Sequence, residues 1–376
     1  MSDQLYPTYE VGSLAKPVWH VKKLRNLPIT PKDTEELNYW TNKLGLNLES
    51  KLSALLNEEL TEQLKHKIKD YSSQFAIRLF ENVGLDYVYN GEQWRTEMYE
   101  GAIRFINGFK FYGEVRSFDN KYYLKAACVE KPSLAKPYHT EEFIHVKGVA
   151  KRKTKVPITG AYTLADWSFN EHYSLQRAND PDVKKARQEN KRDLTLDLAR
   201  EVLRPTIKDL IENGAEWIQI DEPAATTKPD EVDLLVESFN ESVKGLNAKF
   251  SIHICFSDYS LLFPEVLEMK QCSHFSLEFA NRDNPRQDGY KDLNLFNEYN
   301  DRREIGLGVL NVHVDDVESP ATVKERILRA TKILGDPKRI YPAPDCGLRT
   351  RSWHVVYQKL ENMVKGTQEA RKELGG

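Results

Sequence analysis

The chain has 376 residues, 40% of them hydrophobic and 30% charged, with a formal net charge of −3. That profile excludes a disordered chain and offers no basic surface of the kind nucleic-acid binding requires. The N-terminus MSDQLYPTYEVGS has no apolar signal core, and no run of about 18 apolar residues occurs, so a soluble cytoplasmic protein without membrane or nucleic-acid partners is expected.

In chain order, YEVGS and LDYVYNGE read as short strands on either side of a helical stretch, PKDTEELNYW through LFENVG, that Gly84 closes. Residues 99–130 are rich in aromatic and β-branched side chains, with a turn signal at Asp119-Asn120, and predict a β-hairpin excursion. From residue 155 a repeating pattern begins. KVPITGAYT, EWIQIDEP, KFSIHICF, HFSLEFA, IGLGVLNVHV and RIYPAPDCG are strands, each followed by helical sequence. Strands alternating with helices imply a parallel sheet. Eight such units predict an α/β chain forming one (β/α)₈ barrel over residues 1–376, with 99–155 as an insertion. No glycine-rich phosphate loop follows an early strand.

In that architecture chemistry sits at the carboxyl ends of the strands. Glu92, Asp221-Glu222, His253 and Cys255, Glu278, His313 and Asp345-Cys346 all fall there. His253 and Cys255 are two apart and share one strand face. Together with Glu278 and Cys346 they make a tetrahedral N/S/O set suited to Zn²⁺, whereas two soft thiolates argue against magnesium and calcium. Cys128 and Cys272 find no such partners and read as structural. A zinc centre with two thiolates suits alkylation of a coordinated thiol better than hydrolysis, because the thiol loses its proton there yet stays electron-rich. A displaceable oxygen ligand such as Glu278 could yield to the incoming sulfur.

The ordered motifs resemble the cobalamin-independent methionine synthases, specifically their catalytic barrel, over nearly the whole chain. EVGS (10–13), NGEQWRTEM (90–98), TGAYTLADWSF (159–169), IQIDEPA (218–224), HICFSDY, FSLEFA, IGLGVLNVHV and PDCGLRTR carry the likeness. It implies transfer of a methyl group to the thiol of L-homocysteine, giving L-methionine. Gly12 and Ser13 would hold the amino-acid carboxylate, Glu92 and Asp221 the amino group. Trp167 would lie near the methyl donor. His253, Cys255, Glu278 and Cys346 would hold zinc, and His313 would protonate the departing carrier. The donor could be methyl-tetrahydrofolate or a methylcorrinoid protein. The chain resembles the short core homologues, so a separately encoded N-terminal-barrel-like or corrinoid partner is also expected.

Asn90 stands where the family has histidine, Ala161-Tyr162 replace Pro-Val, Asn281-Arg282 are displaced by one position, and VDDVESP follows His313 in place of Ser-Pro-Arg. Without the resemblance, Glu92 and Asp221 also read as helix caps or rim charges, Ser13 as a cap, His313 as a core histidine and Trp167 as packing. The run KRKTK (151–155) reads as a solvated face, or as a patch that steers an acidic donor. A zinc alkyltransferase acting on another thiol such as coenzyme M, and a non-catalytic partner-binding barrel, are the competing readings.

Overall fold

The computed structural model describes residues 4–116, 122–255 and 257–375. Its strands are β1 (Tyr87–Val88), β2 (Ile106–Arg116), β3 (Tyr122–Leu134), β4 (Lys153–Thr154), β5 (Val156–Thr159) and β6 (Phe169–Asn170). They continue with β7 (Trp217–Asp221), β8 (Lys249–Ile254), β9 (Cys272–Leu277), β10 (Glu304–Leu310) and β11 (Ile340–Pro344). Six of them form one parallel sheet in the order β11-β10-β9-β8-β7-β5, so the chain is an α/β protein. β5 and β7 are buried along their whole length, as strands covered on both faces must be.

The first two expected strands are shorter than their sequence suggests. YEVGS is reduced to isolated parallel bridges, Tyr9 with Tyr87 and Leu14 with Leu348, because the chain bends at Gly12. β1 has two residues and pairs in parallel with β4. Tyr9 N–H also donates to Pro342 O at 3.4 Å and Lys155 N–H to Val88 O at 3.3 Å, so backbone links run outward from both edges of the six-stranded sheet. β2 and β3 are antiparallel, and β3 adds β6 alongside. The Asp119-Asn120 turn lies outside the described residues.

Local chemistry sets the helix ends. The first helical stretch divides into Pro31–Lys43, Glu49–Asn57 and Glu62–Val83. Thr30 and Asp33 form a capping box with Pro31 in the first turn, and Gly84 closes the third helix at φ +95°. The continuous helix expected after β6 is instead Val183–Leu198 and Arg204–Glu212, joined by a π-turn over Ala199–Leu203. Pro205 supplies no N–H there, and the ladder slips by one residue. The sequence after β8 makes two 3₁₀ turns around Pro264 rather than a helix. Among the described residues no helix is long and apolar enough to cross a membrane.

A separate small cluster of Tyr9, Val11, Trp217 and Ala343 packs apart from the main core. Polar groups beside it are paired: Trp217 Nε1 donates to Ser251 Oγ (2.9 Å), and the Tyr9 hydroxyl to Ser276 Oγ (2.7 Å). Cys128 and Cys272 are buried, and burial pushes their thiols up to about 12 and about 11, so both are inert.

Candidate functional site

His253 is the penultimate residue of β8, Cys255 follows that strand, and Cys346 follows β11. Their ligand atoms all lie within 4.8 Å of one another. Two strands stand between β8 and β11 in the sheet, an offset of about 14 Å if flat. The sheet must therefore curve strongly to bring these side chains together. His253 is 4% exposed; its Nδ1–H donates to Ser276 O at 3.0 Å, which leaves the Nε2 lone pair facing the thiols. Nε2 has no hydrogen-bond partner. A buried, unpartnered imidazole nitrogen beside two sulfurs is costly unless something electrophilic meets it, and the carbonyl behind Nδ1 fixes the tautomer a metal needs. The thiol of Cys255 and the His253 ring hold Cys346 well below the usual thiol range, while Cys255 is pushed up by the same pairing and by burial. The pair thus favours one anionic sulfur, that of Cys346, beside a neutral Cys255 thiol.

The loops bearing these residues are tied together. Tyr259 accepts from Glu278 N–H (2.7 Å) and reaches Ile254 O (3.1 Å), joining the ends of β8 and β9. Asp345 accepts from the N–H groups of Phe279, Ala280 and Asn281 at 2.9, 2.9 and 2.7 Å, joining the ends of β9 and β11. Glu222 likewise takes the amides of Tyr162 and Thr163 at the start of the helix Ala161–Asp166. Asp345 and Glu222 are therefore braces. Glu278 is buried, but it stands outside the His253–Cys255–Cys346 group; its Oε1 lies 3.2 Å from His313 Nε2. That carboxylate raises the His313 pKa.

Gly12, Ser13 and Glu92, which the resemblance assigns with Asp221 to the amino acid, are placed by close backbone approaches. Gly12 approaches Glu92 so closely that a Cβ would lie 3.2 Å from Oε1, and a Cβ on Gly347 would overlap the Ser13 hydroxyl. Ser13 thus sits against the Cys346 loop. Glu92 adopts φ +58°, a conformation unusual outside glycine. Asn90 Oδ1 holds the Glu92 N–H at 2.9 Å, Asn90 Nδ2 donates to Glu142 (2.8 Å), and Arg95 joins Glu142 (2.8 Å) to Pro157 O (2.8 Å). The asparagine that departs from the family pattern is therefore a structural knot beneath Glu92. Asp221 ends β7; burial raises its pKa to about 7, and Glu92 adds to the rise. Two neighbouring carboxylates of this kind suit a cationic group. Trp167 caps the helix Ala161–Asp166 and packs near Tyr99, with ring centroids 6.3 Å apart.

Lys155, Gln219 and Glu10 are the buried groups that sequence reasoning missed. Lys155 is not on a solvated face: it is fully buried, and its ammonium donates to Val11 O (2.8 Å) and Gln219 Oε1 (3.0 Å). Gln219 in turn donates to Asp221 Oδ1 at 2.7 Å. Lys151, Arg152 and Lys153 are exposed but lie at the start of β4, the end opposite the site, so they do not support steering toward it. Glu10 is 2% exposed and neither carboxylate oxygen has a partner. Burial pushes its pKa up to about 7 from 4.5, against the pull of Lys155. Folding therefore favours the protonated acid, and that stability is lost as pH rises from about 4.5 through about 7. Glu10→Gln stays neutral throughout. It is expected to be more stable than the parent at pH 8, by on the order of 3 kcal/mol at most, and equal near pH 4. Chemical denaturation at both pH values checks this; an advantage that persists in acid would contradict it.

Fold and site together define a class: an α/β protein with a sulfur-rich, metal-competent centre at the carboxyl ends of its strands. Residues 46–369 match the model of the cobalamin-independent synthase catalytic domain, and the chain belongs to that family. It is an enzyme, a methyltransferase. A protein named methionine synthase from Thermoplasma acidophilum is 36% identical, covering 98% of each chain. Another, from Pyrococcus abyssi, is 37% identical over 98% of this chain and 94% of its own. The structure of a B12-independent methionine synthase from Shewanella sp. W3-18-1, in complex with selenomethionine, has the same fold, with a TM-score of 0.77 at 22% identity over 99% of both chains.

Proposed function

We propose that the chain is a cytoplasmic, zinc-dependent methyltransferase that forms L-methionine from L-homocysteine on a single (β/α)₈ domain spanning residues 1–376, with 99–155 inserted. The observation that carries the reading is the unpartnered His253 Nε2 within 4.8 Å of the Cys255 and Cys346 sulfurs. Three protein donors with a further position left for substrate is the arrangement of catalytic rather than structural zinc. Barrel closure is supported by the curvature that unites β8 with β11 and by the backbone links through Tyr9.

His253, Cys255 and Cys346 would hold zinc, with Glu278 in an exchangeable position. Zinc, when bound, supplies the charge that keeps the substrate thiol deprotonated. Ser13 and Gly12 receive the carboxylate; Glu92 and Asp221 receive the amino group, with Lys155 and Gln219 orienting Asp221. Fixing that end turns a bimolecular displacement into an oriented one. His313, hydrogen-bonded to Glu278, gives a proton to the departing methyl carrier. Trp167 is assigned to the donor side.

Glu92 and Asp221 argue against coenzyme M as acceptor, because a sulfonate thiol without an amino group gives them nothing to bind. Calorimetry should show binding of homocysteine and none of 2-mercaptoethanesulfonate; the reverse would sink the assignment. Methionine formation with methyl-tetrahydrofolate and with methylcobalamin, assayed side by side, identifies the donor and whether a partner protein is needed. No turnover with either, alone or with a corrinoid protein, would overturn the assignment of donor and acceptor.

A further inference from the structure

A cavity of about 480 Å³ has Ser13 and Glu92 in its lining. That volume falls within the ~300–1,000 Å³ typical of small-molecule sites. Its other polar walls are mostly cationic: Lys16, Arg25, Lys69 and Arg349 line it. They come from four separate places in the chain. Lys16 precedes the helix Val18–Leu24, Arg25 caps it, Lys69 lies within Glu62–Val83, and Arg349 follows Cys346.

The carboxylates in the lining offset these charges only in part, and none forms an ion pair with Lys16, Arg25, Lys69 or Arg349. Glu92 is directed to Arg95, 3.5 Å away, and Glu97 accepts from the amide of Glu100 (3.0 Å) and from that of Tyr99. Lys16 donates only to the carbonyl of Glu92 at 3.1 Å. Among the described residues Arg25, Lys69 and Arg349 enter no ion pair, whereas most arginines near a carboxylate elsewhere in the chain are paired, such as Arg177, Arg303 and Arg326. Burial lowers the Lys16 pKa to about 8 against the opposing pull of Glu92 and Glu142, and Arg349 and Lys69 add to the fall. Converging like charges cost stability. In a chain of net charge −3 this concentration is local, not a reflection of overall composition.

We propose that this cavity is a second ligand site, taking a multiply charged anion built of carboxylates or phosphates, held by Lys16, Lys69, Arg25 and Arg349 next to Ser13 and Glu92. Two sources share that chemistry: an acidic portion of the methyl donor, or a free polyanion. The link to the donor rests on the proposed function; the anion site itself does not.

The probes are inorganic tripolyphosphate and tricarballylate, titrated by calorimetry into the full chain. Lys69→Glu is the test variant. Lys67→Glu, an exposed charge on the same helix outside the cavity, controls for general electrostatics. The parent and Lys67→Glu are expected to bind at least one probe alike, and Lys69→Glu to bind it at least about tenfold more weakly, the loss of one charge-assisted contact. Binding should persist with saturating homocysteine. If Lys69→Glu also raises the donor KM about tenfold while the homocysteine KM stays fixed, the anion belongs to the donor. If the donor KM is unchanged, the site serves a free anion. No binding by the parent, equal losses in both variants, or displacement of the probe by homocysteine would each overturn the proposal. The last outcome would make the cavity part of the amino-acid seat. Metal content and methionine formation by the parent report on the proposed function separately.

Discussion

Replacing Cys346 with alanine is expected to leave the protein folded but unable to retain zinc, and to remove methionine formation almost completely. Parent protein should carry about one zinc per chain, as a single catalytic site implies; the variant should carry close to none after dialysis against a chelator. The loss of activity should exceed the ~10–100-fold typical of outer-shell changes, because a donor itself is removed. Folding is spared because the neighbouring brace is untouched: Asp345 still takes three amides of the β9 exit. Cys128→Ala and Cys272→Ala serve as controls and should keep the metal, both thiols being buried away from His253. Zinc retained in Cys346→Ala would refute the ligand assignment.

A severe effect of another kind is expected from Gly306→Ala. Gly306 and Gly308 alternate on β10 and face inward. A Cβ on Gly306 would overlap the Tyr9 hydroxyl and come within 2.7 Å of His274 Nε2 and 3.0 Å of the Ser276 backbone. Tyr9 has no slack to move, since it is fully buried and bridges Tyr87. One methyl group would therefore cost roughly 1–3 kcal/mol or more, the range for overpacking a filled core. At Gly308 a Cβ would overlap Asp345 and lie 2.8 Å from Leu277 O. Gly308→Ala should accordingly lose metal affinity as well as stability, while Gly306→Ala should lose mainly stability. Melting temperatures and zinc content measured together separate the two; a Gly306→Ala protein as stable as the parent would show that the interior is looser than described.

What could be read from the sequence followed local periodicity. His253 and Cys255 were legible because strand alternation puts residues two apart on one face, and the structure brings their ligand atoms within 4.8 Å of each other. The six main strands were legible as apolar runs between helical patterns. Where a strand ends, alternation stops dictating direction, and there the reading was least secure. Glu222 and Asp345 look as capable as Asp221 in the sequence, yet both turn toward backbone amides. Glu278 reads as a ligand in the sequence, and in the structure its carboxylate also meets His313, a contact no spacing announces. Lys155 was hidden in a run of charges, and only the register of β5 beside β7 carries it inward toward Gln219. The break in the helix at Pro205 was visible as a residue but overlooked as a break, since the apolar pattern continues through it.

The hydrogen bonds from Tyr259 and Asp345 have a further consequence. They join three strand exits through protein groups alone, so a metal held by His253, Cys255 and Cys346 would meet a scaffold already braced around it. In small zinc domains the binding energy is spent largely on ordering the chain. Here little ordering remains to be done, and most of that energy stays available for affinity. The empty and loaded proteins are therefore expected to share one conformation, and metal removal and return would not require passage through an unfolded chain.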